Sequence, residues 1–155
     1  MTLKELGLLT KRSSKRLPTV STEIKRAILH KMADNILAAR KELAVENLKD
    51  LLAAREKGLS SAMIDRLTLN DERISAMADS LKEVATLDDP VGVITEDYVR
   101  PNGLQVQRRR IPLGVIGVIY ESRPNVTVEA ASLCFYAGNG LMLRGGSEAF
   151  NSNQC

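Results

Sequence analysis

The sequence is poor in the residue types that most often mark a site. Its 155 positions include no tryptophan, 3% aromatic residues, two cysteines and one histidine. So few cysteines argue against a disulfide framework and suit a reducing compartment. The rarity of aromatics argues against a surface on which nucleic-acid bases stack. His30 lies in a helical stretch with no catalytic motif beside it, so we expect a packing or solvated role.

Strong charge and long apolar runs are also missing. The formal net charge is +3, from 22 basic and 19 acidic residues, which is too small an excess to indicate nucleic-acid binding. No apolar run reaches membrane-spanning length, and the N-terminus lacks the apolar segment of a signal peptide. We therefore expect a cytoplasmic protein without a membrane or nucleic-acid partner. The 44% hydrophobic content predicts one globular domain with an aliphatic core.

The first ninety residues have helical periodicity. A glycine at Gly58 suits a helix C-terminus, and Asp88–Pro90 should end the last helix. Lys25 belongs to the predicted polar side of the second helix. The predicted apolar positions are Leu3, Leu6 and Leu9; Ile24, Ile28, Met32 and Ile36, broadened by Ala27, Leu29, Ala33 and Leu37; Leu43, Leu48, Leu51 and Leu52; and Ile74, Met77, Leu81 and Val84.

A β-hairpin is predicted next. Two strand-like segments, 93–99 and 104–111, flank the turn signal Arg100-Pro-Asn-Gly103. One face of the hairpin is largely polar, so we expect it to be exposed or to pair with another subunit. The cluster Arg108–Arg110 is interpreted as a solvated strand face, with an anion site as the alternative.

Two apolar runs after the hairpin each end in a polar loop. Leu113–Tyr120 lacks polar alternation, which predicts a strand covered on both faces in a parallel sheet. It ends at Glu121–Asn125, and the shorter run Leu141–Leu143 ends at Arg144–Glu148. Ligands of open α/β sheets gather beyond the carboxyl ends of strands. The two loops are therefore the candidate site.

Several roles are open for the loop residues. Asn125 precedes the predicted helix 126–137, where it could cap the helix or donate an amide hydrogen bond to an oxyanion. The segment Arg144–Ser147 has groups suited to phosphate, although an ordinary glycine turn with a surface arginine has the same composition. The segment Glu121–Arg123 could contact substrate or simply end the strand in water. Cys134 is expected to be a buried thiol.

Longer motifs carry a resemblance to a known family. The stretch RIPLGVIGVIYESRPNVTVEAASLC, followed by GN-x-x-x-LRGGSEA, resembles the γ-glutamyl phosphate reductases, a branch of the aldehyde dehydrogenase superfamily. The segments VSTEIKRAIL, LTLNDERI and RPNGLQV extend the resemblance over nearly the whole chain. It implies an α/β fold with N-terminal helices, a β-hairpin and the incomplete start of a Rossmann-like parallel sheet. Residues 1–90 would be the helical part of a cofactor domain, 91–111 an oligomerisation hairpin, and 112–155 the first βα units that bind NADPH.

The same resemblance implies an activity in proline biosynthesis. NADPH would reduce L-glutamyl 5-phosphate to L-glutamate 5-semialdehyde with release of phosphate, through a thioester on a cysteine. A homo-oligomer and functional coupling to glutamate 5-kinase are implied, and no metal. The roles carried over by resemblance are oxyanion stabilisation for Asn125; substrate binding for Glu121, Ser122 and Arg123; and cofactor binding for Arg144, Gly145, Gly146 and Ser147.

One departure from the family pattern changes the expectation. Relatives are more than twice as long, and their nucleophilic cysteine lies downstream of the last residue here. Neither Cys134 nor Cys155 matches it. We expect the catalytic domain to be absent, the chain alone to be inactive, and the region around Leu113–Tyr120 to associate or to lack native packing.

Two other functional classes stay open on sequence grounds. The chain could be a non-catalytic helical or oligomerisation module whose hairpin pairs with a partner. It could also be a weak nucleic-acid binder that uses Lys11–Arg16 and Arg108–Arg110.

Overall fold

The computed structural model describes residues 1–155, in which five helices precede two separate two-stranded sheets. This order confirms the predicted α/β class with N-terminal helices, a hairpin and a parallel strand pair. The α-helices are α1 (Leu3–Ser14), α2 (Thr22–Ala38), α3 (Arg40–Glu56), α4 (Ser61–Leu67), α5 (Asp71–Thr86), α6 (Asn125–Tyr136) and α7 (Phe150–Gln154). The strands are β1 (Ile94–Val99), β2 (Gln105–Arg109), β3 (Val115–Tyr120) and β4 (Gly140–Gly145).

The main core lies between α2, α5 and α6. The predicted inward face of α5 is confirmed, because Ile74, Met77, Leu81 and Val84 are all buried. In α2 the prediction was wrong for Ile24 and Ile28, which are exposed, and confirmed for Leu29 and Ala33, which were expected to broaden the stripe and are buried. The apolar stripe of α2 is broad enough to pack in more than one rotation, so its own sequence did not specify which side meets α5.

A buried charge lies on that side of α2. Lys25, which belongs to the predicted polar side, is 1% exposed, and its Nζ lies 2.8 Å from Asp89 Oδ2. Thr22 Oγ1 and the Val91 N–H also donate to the Asp89 carboxylate. Burial alone would raise the pKa of Asp89, but the hydrogen bond from Lys25 and those of Val91 and Thr22 together lower it. This ion pair ties α2 to the segment that follows α5.

The buried face of α3 is partly polar. Leu43 and Ala54 are buried, but so are Asn47 and Asp50, whereas the predicted apolar positions Leu48 and Leu52 are half exposed. The Asp50 carboxylate accepts four hydrogen bonds, from the backbone N–H groups and side chains of Asn151 and Ser152. It thereby holds the start of α7 against α3.

Helix α1 packs through its small residues. The predicted apolar positions Leu3, Leu6 and Leu9 are exposed, which corrects that expectation. The packed face instead comprises Gly7, Thr10 and Ser14, which lie against β4. A Cβ on Gly140 would come within 2.9 Å of Ser14 Cβ. Helix and strand therefore approach too closely for leucine side chains to lie between them.

The hairpin forms as predicted. Strands β1 and β2 are antiparallel, with Tyr98 opposite Val106. In the turn between them, Gly103 has a φ of +85° and its N–H donates to the Arg100 carbonyl. Every residue of β1 is exposed, as are Arg108, Arg109 and Arg110.

The second sheet is parallel. Strands β3 and β4 pair in register from Val115 opposite Gly140 to Tyr120 opposite Gly145. The expectation that β3 is covered on both faces was wrong, because Gly117 and Ile119 face solvent and Ile119 is 84% exposed. Leu113, just before β3, is exposed as well, so the strand pair leaves apolar surface uncovered. No helix of the chain has the length and apolar character needed to cross a membrane.

Candidate functional site

The loops that follow β3 and β4 meet at one edge of the parallel sheet. Their last paired residues, Tyr120 and Gly145, lie side by side. Beyond them, the Ser122 N–H donates to Glu148 Oε1 at 2.5 Å and the Ser122 hydroxyl donates to the same oxygen at 3.0 Å. The predicted juxtaposition of the two loops is confirmed, and a carboxylate joins them directly.

The Glu148 side chain reaches Ser122 by lying across Gly146, two residues earlier in the chain. A Cβ on Gly146 would come within 2.5 Å of Glu148 Cδ, so a side chain there would displace the Glu148 carboxylate from this position. Partial burial acts to raise the pKa of Glu148, but hydrogen bonds from its own N–H and from Ser122, with the charge of Lys57, together lower it. Glu148 is therefore ionised at neutral pH and links the loops as a carboxylate.

Ser122 turns the chain from β3 towards α6. Its φ is +47°, a left-handed conformation that costs a non-glycine residue about 1–2 kcal/mol. The side chain is 5% exposed, and both its donors point at Glu148. Of the residues predicted to bind substrate, Ser122 is thus the one whose donors are already used within the protein, whereas Glu121 and Arg123 are exposed.

Asn125 is the first residue of α6 rather than its cap. Pro124 occupies the cap position and no side chain caps the helix, so the capping alternative was wrong. The Asn125 Nδ2 instead donates to Glu129 Oε1, one turn later, at 2.8 Å. This contact orients the amide group at the N-terminus of α6, where the helix dipole favours negative charge.

Arg123 and Asn125 line a cavity of about 280 Å³ between the β3–α6 loop and the helices α4 and α5. The other charged residues around it are Asp65, Arg66, Arg73 and Glu129. Arg73 donates to the Thr68 carbonyl and to Asp65 Oδ1, which holds the α4–α5 connection in place. The contribution of α4 and α5 was not predicted, because nothing in the spacing of Arg66 or Arg73 connects them with a strand end.

The end of β4 presents a cation beside two glycines. Arg144 is exposed, and its guanidinium makes only a long contact of 3.4 Å with the adjacent Gly145 carbonyl. At Gly145, a Cβ would meet the Asn153 side chain and approach Tyr120 Oη to 3.1 Å. Tyr120, Thr127 and Asn153 form a hydrogen-bonded chain behind this position. Ser147 is exposed at the start of the 3₁₀ turn Ser147–Ala149.

Neither cysteine has the surroundings of a nucleophile. Burial raises the pKa of the Cys134 thiol, which confirms the predicted buried cysteine. Partial desolvation and the carboxylates of Glu42 and Glu46 raise the pKa of Cys155. No group of three or more His, Cys, Asp or Glu side chains is arranged to hold a metal ion.

Comparison with known proteins gives consistent relatives. The chain is 52% identical over 153 residues to the γ-glutamyl phosphate reductase of Xanthomonas campestris pv. campestris, covering 99% of this chain and 37% of that protein. The crystal structure of the Thermotoga maritima γ-glutamyl phosphate reductase matches with a TM-score of 0.91 and 43% identity, over 94% of this chain and 35% of that one. No protein-family model matches.

A more distant neighbour shows the fold alone. An NAD-dependent benzaldehyde dehydrogenase from Corynebacterium glutamicum matches with a TM-score of 0.68 at 18% identity, over 93% of this chain and 29% of that one. The chain spans little more than a third of the length of the curated relatives it matches. In sequence and in fold, it is similar over nearly all its residues to the N-terminal portion of the γ-glutamyl phosphate reductases, with the fold of the aldehyde dehydrogenases.

Proposed function

We propose that the natural polypeptide containing these residues reduces L-glutamyl 5-phosphate with NADPH, giving L-glutamate 5-semialdehyde, NADP⁺ and inorganic phosphate. The observation that carries this proposal is the shared edge of β3 and β4, where Asn125 and Arg144 are presented by two loops joined through Glu148. The similarity to γ-glutamyl phosphate reductases over 99% of the chain supports the choice of substrate. The assignments 1–90, 91–111 and 112–155 as helical, oligomerisation and cofactor-binding segments belong to the same proposal.

The residues at the end of β4 fit a dinucleotide. Arg144 has an exposed guanidinium with no ion-pair partner, a good donor set for phosphate oxygens. Gly145, Gly146 and Ser147 follow it and allow close approach of a phosphate-bearing ligand to the backbone. NADPH, when bound, supplies the hydride. NADPH differs from NADH by one additional phosphate, and we expect the unpaired Arg144 guanidinium to bind that phosphate.

Asn125 would stabilise negative charge on the acyl oxygen. Its Nδ2 carries a second proton beyond the one donated to Glu129, and the group lies at a helix N-terminus. Glu129 fixes which way the amide points before substrate binds. In this scheme, Glu121 and Arg123 contact the substrate, and Ser122 acts on the site through Glu148.

The nucleophile is proposed to lie outside these 155 residues, since both Cys134 and Cys155 have raised pKa values. We therefore expect the isolated chain to show no reductase turnover, whereas the full-length natural polypeptide should oxidise NADPH and form the aldehyde product in equal amounts. The assay combines the polypeptide with γ-glutamyl phosphate generated in place by a glutamate kinase. Absence of substrate-dependent NADPH oxidation by the full-length polypeptide would refute the function.

Two substitutions in that polypeptide test the residue roles. Asn125→Ala should lower kcat by roughly 100-fold or more, the usual cost of removing an oxyanion donor. Arg144→Ala should raise the KM for NADPH about 10-fold or more while changing that for NADH little. Arg55→Ala, exposed at the end of α3, is the matched control and should leave both constants unchanged.

The hairpin favours an additional role in assembly. Strand β1 is exposed along its whole length, and Tyr98, Val99 and Leu104 present apolar surface with no cover in the chain. We expect residues 91–111 to pair with another subunit. Val99→Lys should lower the molecular mass of the full-length polypeptide measured by analytical ultracentrifugation. An unchanged mass would remove this assignment without touching the reductase proposal.

A further inference from the structure

The cavity lined by Asn125 has a set of charged side chains that the proposed chemistry uses only in part. Arg66 and Arg123 line it, and neither guanidinium forms an ion pair or hydrogen bond within the chain. Glu129 lines the same cavity, and only its Oε1 is occupied, by the Asn125 amide. The remaining pair, Asp65 with Arg73, is neutralised internally at 3.0 Å. Two free cationic groups and one available carboxylate oxygen therefore face a common space.

Such a mixed set suits a zwitterion better than a phosphate. A carboxylate can bind a guanidinium through two parallel hydrogen bonds, and an ammonium group can donate to Glu129. A phosphate dianion would gain the same arginine contacts but would be repelled by Glu129. The cavity also adjoins Asn125, where the reacting acyl oxygen is proposed to lie. The short carbon chain of a glutamyl group would link the two places.

We propose that this cavity is the subsite for the α-amino-acid end of the substrate, with Arg66 and Arg123 binding the α-carboxylate and Glu129 binding the α-ammonium group. This inference rests on the proposed reductase function and extends it to substrate selection. Arg66 comes from α4, so a helix distant in sequence from the strand ends determines which acyl phosphates are accepted. Glu129 then has two tasks, orienting the Asn125 amide and recognising the substrate.

Binding of simple ligands to the full-length natural polypeptide tests the subsite without turnover. The probes are L-glutamate, glutarate, which lacks the amino group, γ-aminobutyrate, which lacks the α-carboxylate, and inorganic phosphate. Calorimetry should show L-glutamate binding at least about 10-fold more tightly than either organic analogue, because each analogue loses one charge-assisted contact. Arg66→Ala or Arg123→Ala should abolish the preference over γ-aminobutyrate, and Glu129→Gln the preference over glutarate.

Glu129→Gln keeps an oxygen that can accept from Asn125, so it removes charge with little change in shape. Arg55→Ala and Glu56→Gln, exposed at the end of α3, are the matched controls and should retain both preferences. Catalysis gives a second readout, since Arg66→Ala should raise the KM for γ-glutamyl phosphate about 10- to 100-fold with little change in kcat.

Three results would overturn the proposed subsite. The first is equal affinity for L-glutamate and both organic analogues, and the second is a preference for L-glutamate that survives Arg66→Ala, Arg123→Ala and Glu129→Gln. The third is displacement of L-glutamate by inorganic phosphate that depends on Arg66 and Arg123. The wild-type turnover assay judges the reductase function separately. A polypeptide that reduces γ-glutamyl phosphate with unaltered KM after Arg66→Ala refutes this inference alone. One that shows no turnover refutes the proposed function, whatever it binds.

Discussion

Leu81 and Ile119 show how differently two parts of this chain use similar side chains. Leu81 in α5 is fully buried between α2 and α6, whereas Ile119 in β3 is 84% exposed beside the candidate site. The helical part has its own apolar core and a buried ion pair. The two sheets are narrow, with apolar residues facing solvent and unpaired edges. Stability is thus concentrated in the helices, while the strand ends carry the proposed chemistry.

Removing the carboxylate that pairs with the buried Lys25 should give the largest effect. Asp89→Ala leaves the Lys25 ammonium group, which is 1% exposed, without an acceptor, and we expect a loss of about 3–5 kcal/mol in the free energy of unfolding. Urea unfolding followed by circular dichroism measures it. Asp65→Ala, which breaks an exposed ion pair with Arg73, should cost much less. If both variants lost the same free energy of unfolding, the Lys25–Asp89 pair would contribute no more to stability than an exposed ion pair.

Truncating one apolar side chain in each part tests the contrast directly. Leu81→Ala should lower the free energy of unfolding by about 2–5 kcal/mol, because it leaves a cavity in a closed core. Ile119→Ala should change it by no more than about 0.5 kcal/mol, because its side chain is already in water. Denaturant titrations of the two variants supply the comparison. A cost of several kcal/mol for Ile119→Ala would show that β3 is covered in solution by another copy or another segment.

The contact between α1 and β4 is a place where the parallel sheet is packed closely. Gly140→Ala should cost about 1–3 kcal/mol, because the new methyl group would lie 2.9 Å from Ser14 Cβ and 3.1 Å from Thr10 Cγ2. Loss of hydrogen-exchange protection in α1 would locate the effect. Gly117→Ala is the control in the neighbouring strand, since nothing lies within 4 Å of the added atom. Equal hydrogen-exchange protection of α1 in the Gly140→Ala and Gly117→Ala variants would contradict close packing of α1 against β4.

A modest effect should come from the carboxylate between the two loops. Glu148 has a lowered pKa in the folded chain, so its contribution to stability is present above the pKa of an ordinary glutamate and is lost as pH falls through the folded value. Glu148→Ala should cost about 1 kcal/mol at pH 7, a modest figure for a partly exposed group. Nuclear magnetic resonance should show the Ser122 amide proton moving upfield below pH 4.5, the ordinary glutamate value.

Glu148→Gln is the informative control for that bridge. Its amide oxygen can still accept from the Ser122 N–H, so the loop geometry should be retained while the pH dependence disappears. A Ser122 resonance that titrates identically in the two proteins would show that another group is responsible.

Much of the local structure could be predicted from short-range patterns. The hairpin turn, the inward face of α5 and the two strands with polar ends follow from signals within a few residues of each other. The rotation of α2 could not be predicted, because its apolar stripe is broad and the side that packs is selected by contacts with α5 and with Asp89, far along the chain. The packed face of α1 could not be predicted either. Gly140 has no side chain, so β4 comes close to α1 and leaves room only for small residues of the helix at the contact.

The candidate site divides in the same manner. Asn125 and Arg144 could be singled out because each follows an apolar run, and parallel strands end at a common edge. Arg66, Glu129 and the Ser122–Glu148 bridge could not, because their relation exists only after α4 and α6 pack around the strand ends. The sequence by itself therefore determined the elements and the two polar loops, since these depend on periodicity and on glycine and proline. Only the tertiary structure decided which charges are buried, which are paired and which face a common cavity, because those depend on contacts between residues far apart in the chain.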